Sequence, residues 1–205
     1  GDLLWYGYHG SGEDDASGNS GSDPNNGQPI GNGWDGFQHI AILPPTDPSA
    51  QIQILGVQSD GQVLWYGYAG HGEADMSGWD ANSSNVIRPG WQNFLHVHGS
   101  GNVVFAVAEN GDLLWHRYDG TGVTDPNGAT GWHPNSGNPI GNGWQGLRQL
   151  YGGISDEGGT IGHVIYGVTT DGDVIWYRYE GNGEPDRSGS TGWHPNSGTL
   201  VRRGW

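Results

Sequence analysis

The segment LLWYGY at residues 3–8 recurs as VLWYGY at 63–68, LLWHRY at 113–118 and VIWYRY at 174–179. Its tryptophans are spaced 60, 50 and 61 residues apart. Each copy is rich in β-branched and aromatic residues, which favour half-buried strands. A second mark, Gly-Trp, follows each copy at a nearly constant distance and ends at Trp34, Trp91, Trp144 and Trp205. The chain is therefore built from an internal repeat.

Each complete unit contains four short strands, A to D. Strands A and B begin at Phe37 and Ile52, Phe94 and Asn102, and Leu147 and His163. Asp-Gly or Asn-Gly at 60–61, 110–111 and 171–172 predicts a tight hairpin turn between strands B and C. Strand C is the LLWYGY segment, and a glycine-rich C–D loop leads to strand D. Two longer stretches, 44–50 and 152–162, are predicted to be loop insertions.

Four antiparallel strands at this period indicate the blade of a β-propeller. A β-sandwich or Greek-key barrel is the alternative, but neither requires equivalent residues at a constant spacing. We predict one all-β propeller domain over residues 1–205, with units at 1–34, 35–91, 92–144 and 145–205. The first unit supplies only strands C and D, because Gly1-Asp2-Leu3 matches the middle of the later B–C turns.

The sequence thus predicts three and a half to four visible blades of a larger or oligomerically closed ring. We expect the ring to be closed by roughly 25 to 60 or more further C-terminal residues, the length of a missing A–B pair or blade, or by another chain. Two copies of this chain would each lack the same strands, so simple dimerisation would not complete the ring.

Composition restricts the possible partners and chemistry. The 205 residues include 41 glycines, 11 tryptophans and 9 tyrosines, so long helices are excluded and aromatic residues build the core. The net charge of −15 argues against nucleic acid and anionic membranes, and no apolar run is long enough for membrane insertion. Cysteine and lysine are both absent, which excludes thiol and Schiff-base chemistry. The excess of acidic residues and the absence of lysine favour an extracellular, secreted protein.

The Gly-Trp mark is part of a longer motif. It reads IGNGW at 30–34 and 140–144, with degenerate copies IRPGW at 87–91 and VRRGW at 201–205. Over the whole chain, units of this form resemble the tachylectin-2 family of β-propeller lectins. The resemblance implies a propeller, five-bladed in that lectin, with one sugar site per blade for N-acetylated hexosamines. The units here are longer than those of that lectin.

The C–D loops carry the residue types that bind sugars, an aromatic face for stacking and polar groups for directed hydrogen bonds. An aspartate recurs ten residues after each strand tryptophan, and a loop tryptophan recurs in three of the four units, with Ser22 in its place in the first. The predicted sugar-binding residues are Asp15, Asp75, Trp79, Asp125, Trp132, Asp186 and Trp193, completed by Trp34, Trp91, Trp144, Asn32 and Asn142. Ser22 predicts a weakened first site.

Two structural roles compete with these assignments. The aspartates could instead cap their own loops through Asx turns, and the Gly-Trp tryptophans could serve only as packing between blades. The acidic C–D loop segments 12–18 and 72–78 raise the possibility of calcium, but they lack the alternating ligands of a calcium loop. His96 and His98 lie two apart on one strand without a third ligand beside them. We predict no metal and no cofactor.

The strongest prediction is a multivalent lectin for glycans bearing N-acetylglucosamine or N-acetylgalactosamine. Repeated weak sites raise apparent affinity roughly 10²–10⁴-fold on a multivalent surface. We predict no enzymatic activity, because the distinctive residues recur whereas a catalytic site is normally unique, and no nucleophile-elbow or zinc-protease motif is present. The alternatives are a protein-interaction propeller scaffold without sugar binding, or an accessory domain of a glycan-processing enzyme.

Overall fold

The computed structural model of the chain describes residues 1–12, 14–15, 17–18, 20–45, 50–157 and 159–205. The strands in these residues form three four-stranded antiparallel sheets and one two-stranded sheet. Their bounds are β1 Asp2–Trp5, β2 Gln28–Asn32, β3 Phe37–Leu43, β4 Ile52–Gln58, β5 Val63–Tyr68, β6 Asn85–Arg88, β7 Phe94–Ser100, β8 Val103–Ala108, β9 Leu113–Arg117, β10 Asn138–Gly141, β11 Leu147–Glu157, β12 Thr160–Thr169, β13 Val174–Tyr179 and β14 Thr199–Arg202. The prediction of an all-β fold with four-stranded antiparallel blades is confirmed, and the sheets are not closed into a ring.

Each four-stranded sheet is a simple meander in chain order, β3 to β6, β7 to β10 and β11 to β14, and β1 pairs with β2. The predicted turns between strands B and C are present. At the first of them the amide of Gly61 donates to the carbonyl of Gln58 at 2.9 Å, with Gly61 at φ 85°. Glycine suits this position because a positive φ is costly for other residues. Within the described residues, no helix has both the length and the apolar character to span a membrane.

The prediction of a loop at 152–162 is wrong. Strands β11 and β12 run on through this segment as one long hairpin, with Gly158 outside the described residues. A β-carbon at Gly152 would lie 2.6 Å from the His98 ring and 2.7 Å from the carbonyl oxygen of Gly99. The glycine therefore lets the strand approach its neighbour closely, which is a strand role and not a loop role. Most of the other predicted insertion, residues 46–49, lies outside the described residues.

Adjacent blades pack through the strand tryptophans. Trp65 and Trp115 are fully buried, as predicted, whereas Trp5 and Trp176 are only partly buried. Each of the first three strand tryptophans lies against a glycine in the C–D loop of the next unit, in the pairs Trp5–Gly72, Trp65–Gly122 and Trp115–Gly183. The loop glycine thus makes room for an indole of the preceding blade.

Histidines join the A strands of neighbouring blades. The Nε2–H of His39 donates to the Phe94 carbonyl at 2.9 Å, and that of His96 donates to the Leu147 carbonyl at 3.0 Å. His98 meets the amide of Gly152 in the next blade. Burial lowers the pKa of His39 and of His98. No metal-binding group of three or more side chains occurs in the described residues.

Candidate functional site

Three aromatic clusters lie where one unit meets the next. Each contains the Gly-Trp tryptophan of one unit, the residue after the strand tryptophan of the next unit, and that unit's loop tryptophan. We number each junction by the later of its two units. They are the second junction (Trp34, Tyr66, Trp79), the third junction (Trp91, His116, Trp132) and the fourth junction (Trp144, Tyr177, Trp193). Successive residues of strand C point to opposite faces. The strand tryptophan therefore packs against the following blade, and the tyrosine or histidine after it packs against the preceding blade.

The second and fourth junctions have nearly the same geometry. Trp34 and Trp79 are stacked with ring centroids 5.9 Å apart and planes 27° apart, and Trp144 and Trp193 with centroids 5.7 Å apart and planes 26° apart. Tyr177 lies 4.5 Å from Trp144, centroid to centroid. In the third junction the two tryptophan rings are tilted by 54°. Two units are therefore needed to build one cluster.

Hydrogen bonds fix the orientation of each loop tryptophan. The indole N–H of Trp79 donates to the Ile30 carbonyl at 2.7 Å, and that of Trp193 donates to the Ile140 carbonyl at 2.9 Å. The corresponding bond of Trp132 goes to the Ile87 carbonyl at 3.2 Å. These carbonyls belong to strand D of the preceding unit. Each loop tryptophan is thus held at its edge, which leaves its faces for packing or for a ligand.

A cleft of about 370 Å³ opens at the fourth junction. This volume is within the range typical of small-ligand sites. Its lining includes Asn142, Trp144, Tyr177, Ser188, Ser190 and Trp193. The cleft thus combines aromatic rings with hydroxyl and amide groups. The Asn142 side-chain amide also donates to Asp112 of its own blade at 2.7 Å, which fixes its orientation.

The repeated aspartates hold their own loops. The carboxylate of Asp125 accepts four backbone N–H bonds, from Asn127, Gly128, Ala129 and Thr130. A carboxylate has about four acceptor positions, so this one is fully used. The carboxylates of the other three accept backbone N–H bonds from the partners Ser17 and Ser20 for Asp15, Ser77 for Asp75, and Ser188, Ser190 and Thr191 for Asp186. Direct sugar contact by these aspartates stays a prediction.

Acid should weaken the fold through these loops. Hydrogen bonds, chiefly from Thr130, lower the pKa of Asp125 to about 2, below the value of about 3.9 for an unfolded aspartate. The ionised carboxylate therefore stabilises the folded chain above pH 4, and this contribution is lost as pH falls from about 4 towards 2. Urea unfolding at pH 6, 4 and 2.5 should show that the free energy of unfolding decreases as pH falls, and this decrease should be smaller in Asp125→Asn. An equal decrease in the variant would show that Asp125 is not the group responsible.

The third junction is occupied by a side chain from strand β6. Arg88 stands where the second and fourth junctions have Gly31 and Gly141, and its Cζ lies 5.0 Å from the centroid of the Trp132 ring. Trp132 is only 8% exposed. His116 is 2% exposed, and neither of its ring nitrogens has a hydrogen-bond partner among the described residues. Burial, with the adjacent charge of Arg88, lowers the pKa of His116 to about 3.

The first unit has a related cleft without the tryptophan. It is lined by Tyr6, Gly18, Ser22, Asp23 and Pro24, among others, and Ser22 occupies the position of Trp193. The side chain of Tyr6 is exposed there, whereas Tyr66 and Tyr177 pack against tryptophans. Stacking surface is therefore smaller in the first unit. Asn32 lies exposed at the end of strand β2.

The structure brings together most of the predicted aromatic residues in pairs, and it adds residues that the sequence analysis did not select. The additions are Tyr66, His116 and Tyr177, together with the loop serines Ser188 and Ser190. The first three could have been found from the repeat, since each follows a strand tryptophan directly. The contact between units could not, because the two tryptophans of each cluster lie 41 to 49 residues apart in the chain.

The blades and the aromatic junctions define an all-β repeat protein with aromatic clusters formed between neighbouring units. The family model for Tachylectin matches residues 56–205, so the chain belongs to the tachylectin family. The resemblance seen in the sequence is thereby confirmed. The family suggests a lectin and not an enzyme. No curated protein matches the chain.

Proposed function

We propose that the protein is a multivalent lectin that binds N-acetylated hexosamines at the second and fourth junctions. The observation that carries the proposal is the open cleft at the fourth junction, where tryptophan and tyrosine rings meet serine hydroxyls and an asparagine amide. The second junction supports it, because Trp34, Tyr66 and Trp79 repeat the aromatic arrangement. Family membership supports carbohydrate as the class of ligand.

The chemistry of the fourth cleft suits a neutral sugar. A pyranose ring presents an apolar C–H face that packs on an aromatic ring, and the methyl of an acetamido group adds further apolar surface. The hydroxyls of Ser188 and Ser190 stand on the loop held by Asp186, so the aspartate positions these groups while its own oxygens stay bonded within the loop. A neutral ligand also avoids the net charge of −15.

Two sites on one chain would act together on a glycan-coated surface. Each site alone has modest affinity, because a few directed hydrogen bonds at about 0.5–3 kcal/mol each are offset by the ordering of the ligand. Simultaneous engagement raises apparent affinity by roughly 10²–10⁴. This arrangement fits recognition of dense surface glycans by an extracellular protein, which is the location that we propose.

An exposed aromatic face on the last blade supports a contact with a further blade. Trp205 is 66% exposed, and Tyr166 and Val201 beside it are also exposed. The equivalent residues Phe105 and Ile140 are buried within the chain. A further blade packed against this sheet would cover this face. We therefore assign it to ring closure in preference to a protein-interaction scaffold.

Titration of the intact chain with N-acetylglucosamine and N-acetylgalactosamine tests the proposed function. We expect a saturable change in tryptophan fluorescence with at least one of them, because Trp79 and Trp193 line the proposed sites. Glucose, which lacks the acetamido group, should bind more weakly. The absence of any saturable change with both N-acetylated sugars would contradict the proposed function.

A further inference from the structure

The third junction differs from its neighbours in one side chain. The Cγ of Arg88 lies 2.8 Å from the position that a β-carbon on Gly128 would occupy. At the fourth junction the equivalent glycine is Gly189, and a β-carbon on it would lie 3.6 Å from the Cα of Gly141. The stem of Arg88 therefore fills space between strand D and the C–D loop that the fourth junction leaves to the cleft.

The guanidinium lies on the face that a sugar would use. Its Cζ is 5.0 Å from the centroid of Trp132, within the range of a cation–π contact. A planar guanidinium on the indole takes the place of the apolar face of a pyranose ring. Trp132 is buried, whereas its counterparts Trp79 and Trp193 are partly exposed.

Two further observations support a covered ligand site over an ordinary packed interface. Four arginines form no ion pair with any described carboxylate, and of these Arg148, Arg202 and Arg203 are exposed to solvent whereas Arg88 is half-buried. His116, beneath the cover, has no hydrogen-bond partner among the described residues. Buried polar groups normally have partners. Removal of the Arg88 side chain would leave the His116 nitrogens available to a ligand hydroxyl.

We propose that Arg88 closes the third junction to sugars and so determines which junctions of the chain can bind. This inference rests on the proposed function of the second and fourth junctions. Its consequence is that valency in this chain is set by the residue that follows the isoleucine of the Gly-Trp motif. Glycine at that position leaves the cleft open, and arginine covers it.

The test compares the wild-type chain with Arg88→Ala by NMR of the indole N–H groups. In the wild type, N-acetylglucosamine or N-acetylgalactosamine should shift the signals of Trp79 and Trp193 and leave Trp132 unshifted. In Arg88→Ala, Trp132 should shift as well, so that the number of responding loop tryptophans rises from two to three. Arg148→Ala removes the same charge from an exposed strand position and should leave the number at two.

The outcomes separate the two proposals. A shift of the Trp132 indole signal in the wild type would overturn the closure by Arg88. This holds for the two N-acetylated sugars and for glucuronic acid, an acidic sugar used as a third probe. A folded Arg88→Ala in which Trp193 responds and Trp132 does not would overturn it too, and would leave the proposed function intact. If neither sugar shifts any indole of the wild type, the proposed function fails, and this inference fails with it. An unchanged Trp65 signal shows that the variant remains folded.

Discussion

Replacement of Gly122 by alanine should be among the most destabilising single substitutions in this chain. A β-carbon there would lie 2.0 Å from Cε3 of Trp65, which is fully buried between blades and has no room to retreat. Overpacking of this kind typically costs 1–3 kcal/mol, occasionally more, and the positive φ of 70° adds about 1–2 kcal/mol. We expect a total loss of about 2–5 kcal/mol and a melting temperature lower by roughly 5–15 °C.

The first unit offers a matched control for this substitution. Gly12 occupies the same place in its C–D loop at φ 80°, but no atom of the residues that the structure describes lies within 4 Å of its β-carbon position. Gly12→Ala therefore carries the backbone strain without the collision, and it should cost about 1–2 kcal/mol. Urea unfolding of both variants measures the difference. Equal losses would show that the contact between loop glycine and strand tryptophan does not hold the blades together.

The regular parts of the fold are predictable from the sequence because short-range chemistry fixes them. The LLWYGY copies become strands β1, β5, β9 and β13, and the Asp-Gly and Asn-Gly turns become tight hairpins. Alternation along each strand puts Trp65 and Tyr66 on opposite faces. These features depend on neighbours in the sequence, and the repeat shows the strand four times and the turn three times.

The segment 152–162 shows where such reasoning fails. Its glycine content is typical of a loop, yet Gly152 stands in a strand because the backbone of Gly99 and the ring of His98 leave no space for a β-carbon. Crowding from a neighbouring blade is invisible in the local sequence. Glycine in this protein thus serves two purposes, turn formation and close approach, and composition alone does not separate them.

The candidate site was predictable by residue type but not by arrangement. The repeat singled out Trp79, Trp132 and Trp193, but the tryptophan that packs against each of them belongs to the preceding unit. Arg88 could be seen only as a departure from IGNGW, since its contact with Trp132 crosses from one blade to the next. The aspartates have the chemistry of sugar ligands, and in the structure their oxygens bind the amides of their own loops.

Loss of Trp193 should have a much larger effect on a glycan surface than on a free sugar. Trp193→Ala removes the aromatic floor of the fourth cleft and leaves the second junction unchanged. With a monovalent N-acetylated hexosamine, we expect half the number of sites at an unaltered affinity. On an immobilised glycan, we expect apparent affinity to fall by about 100-fold or more, because simultaneous engagement of two sites is lost.

Ile161→Ala is the control for this prediction. It also removes an apolar side chain, but Ile161 on strand β12 is 52% exposed and lies outside the three junctions and outside the face at Trp205. Surface plasmon resonance on the immobilised glycan and calorimetric titration with the free sugar measure both quantities. Two-site engagement would be contradicted if both variants lost the same apparent affinity for the immobilised glycan. It would also be contradicted if Trp193→Ala bound that surface as tightly as the wild type.

The decisive experiment is a crystal structure of the protein grown with N-acetylglucosamine or N-acetylgalactosamine. We expect a sugar at the fourth junction, with its apolar face against the aromatic rings and its hydroxyls near Ser188 and Ser190. We expect a second sugar at Trp79 and none over Trp132. A sugar bound elsewhere on the chain, with the second and fourth junctions both empty, would show that the junctions are not the binding sites.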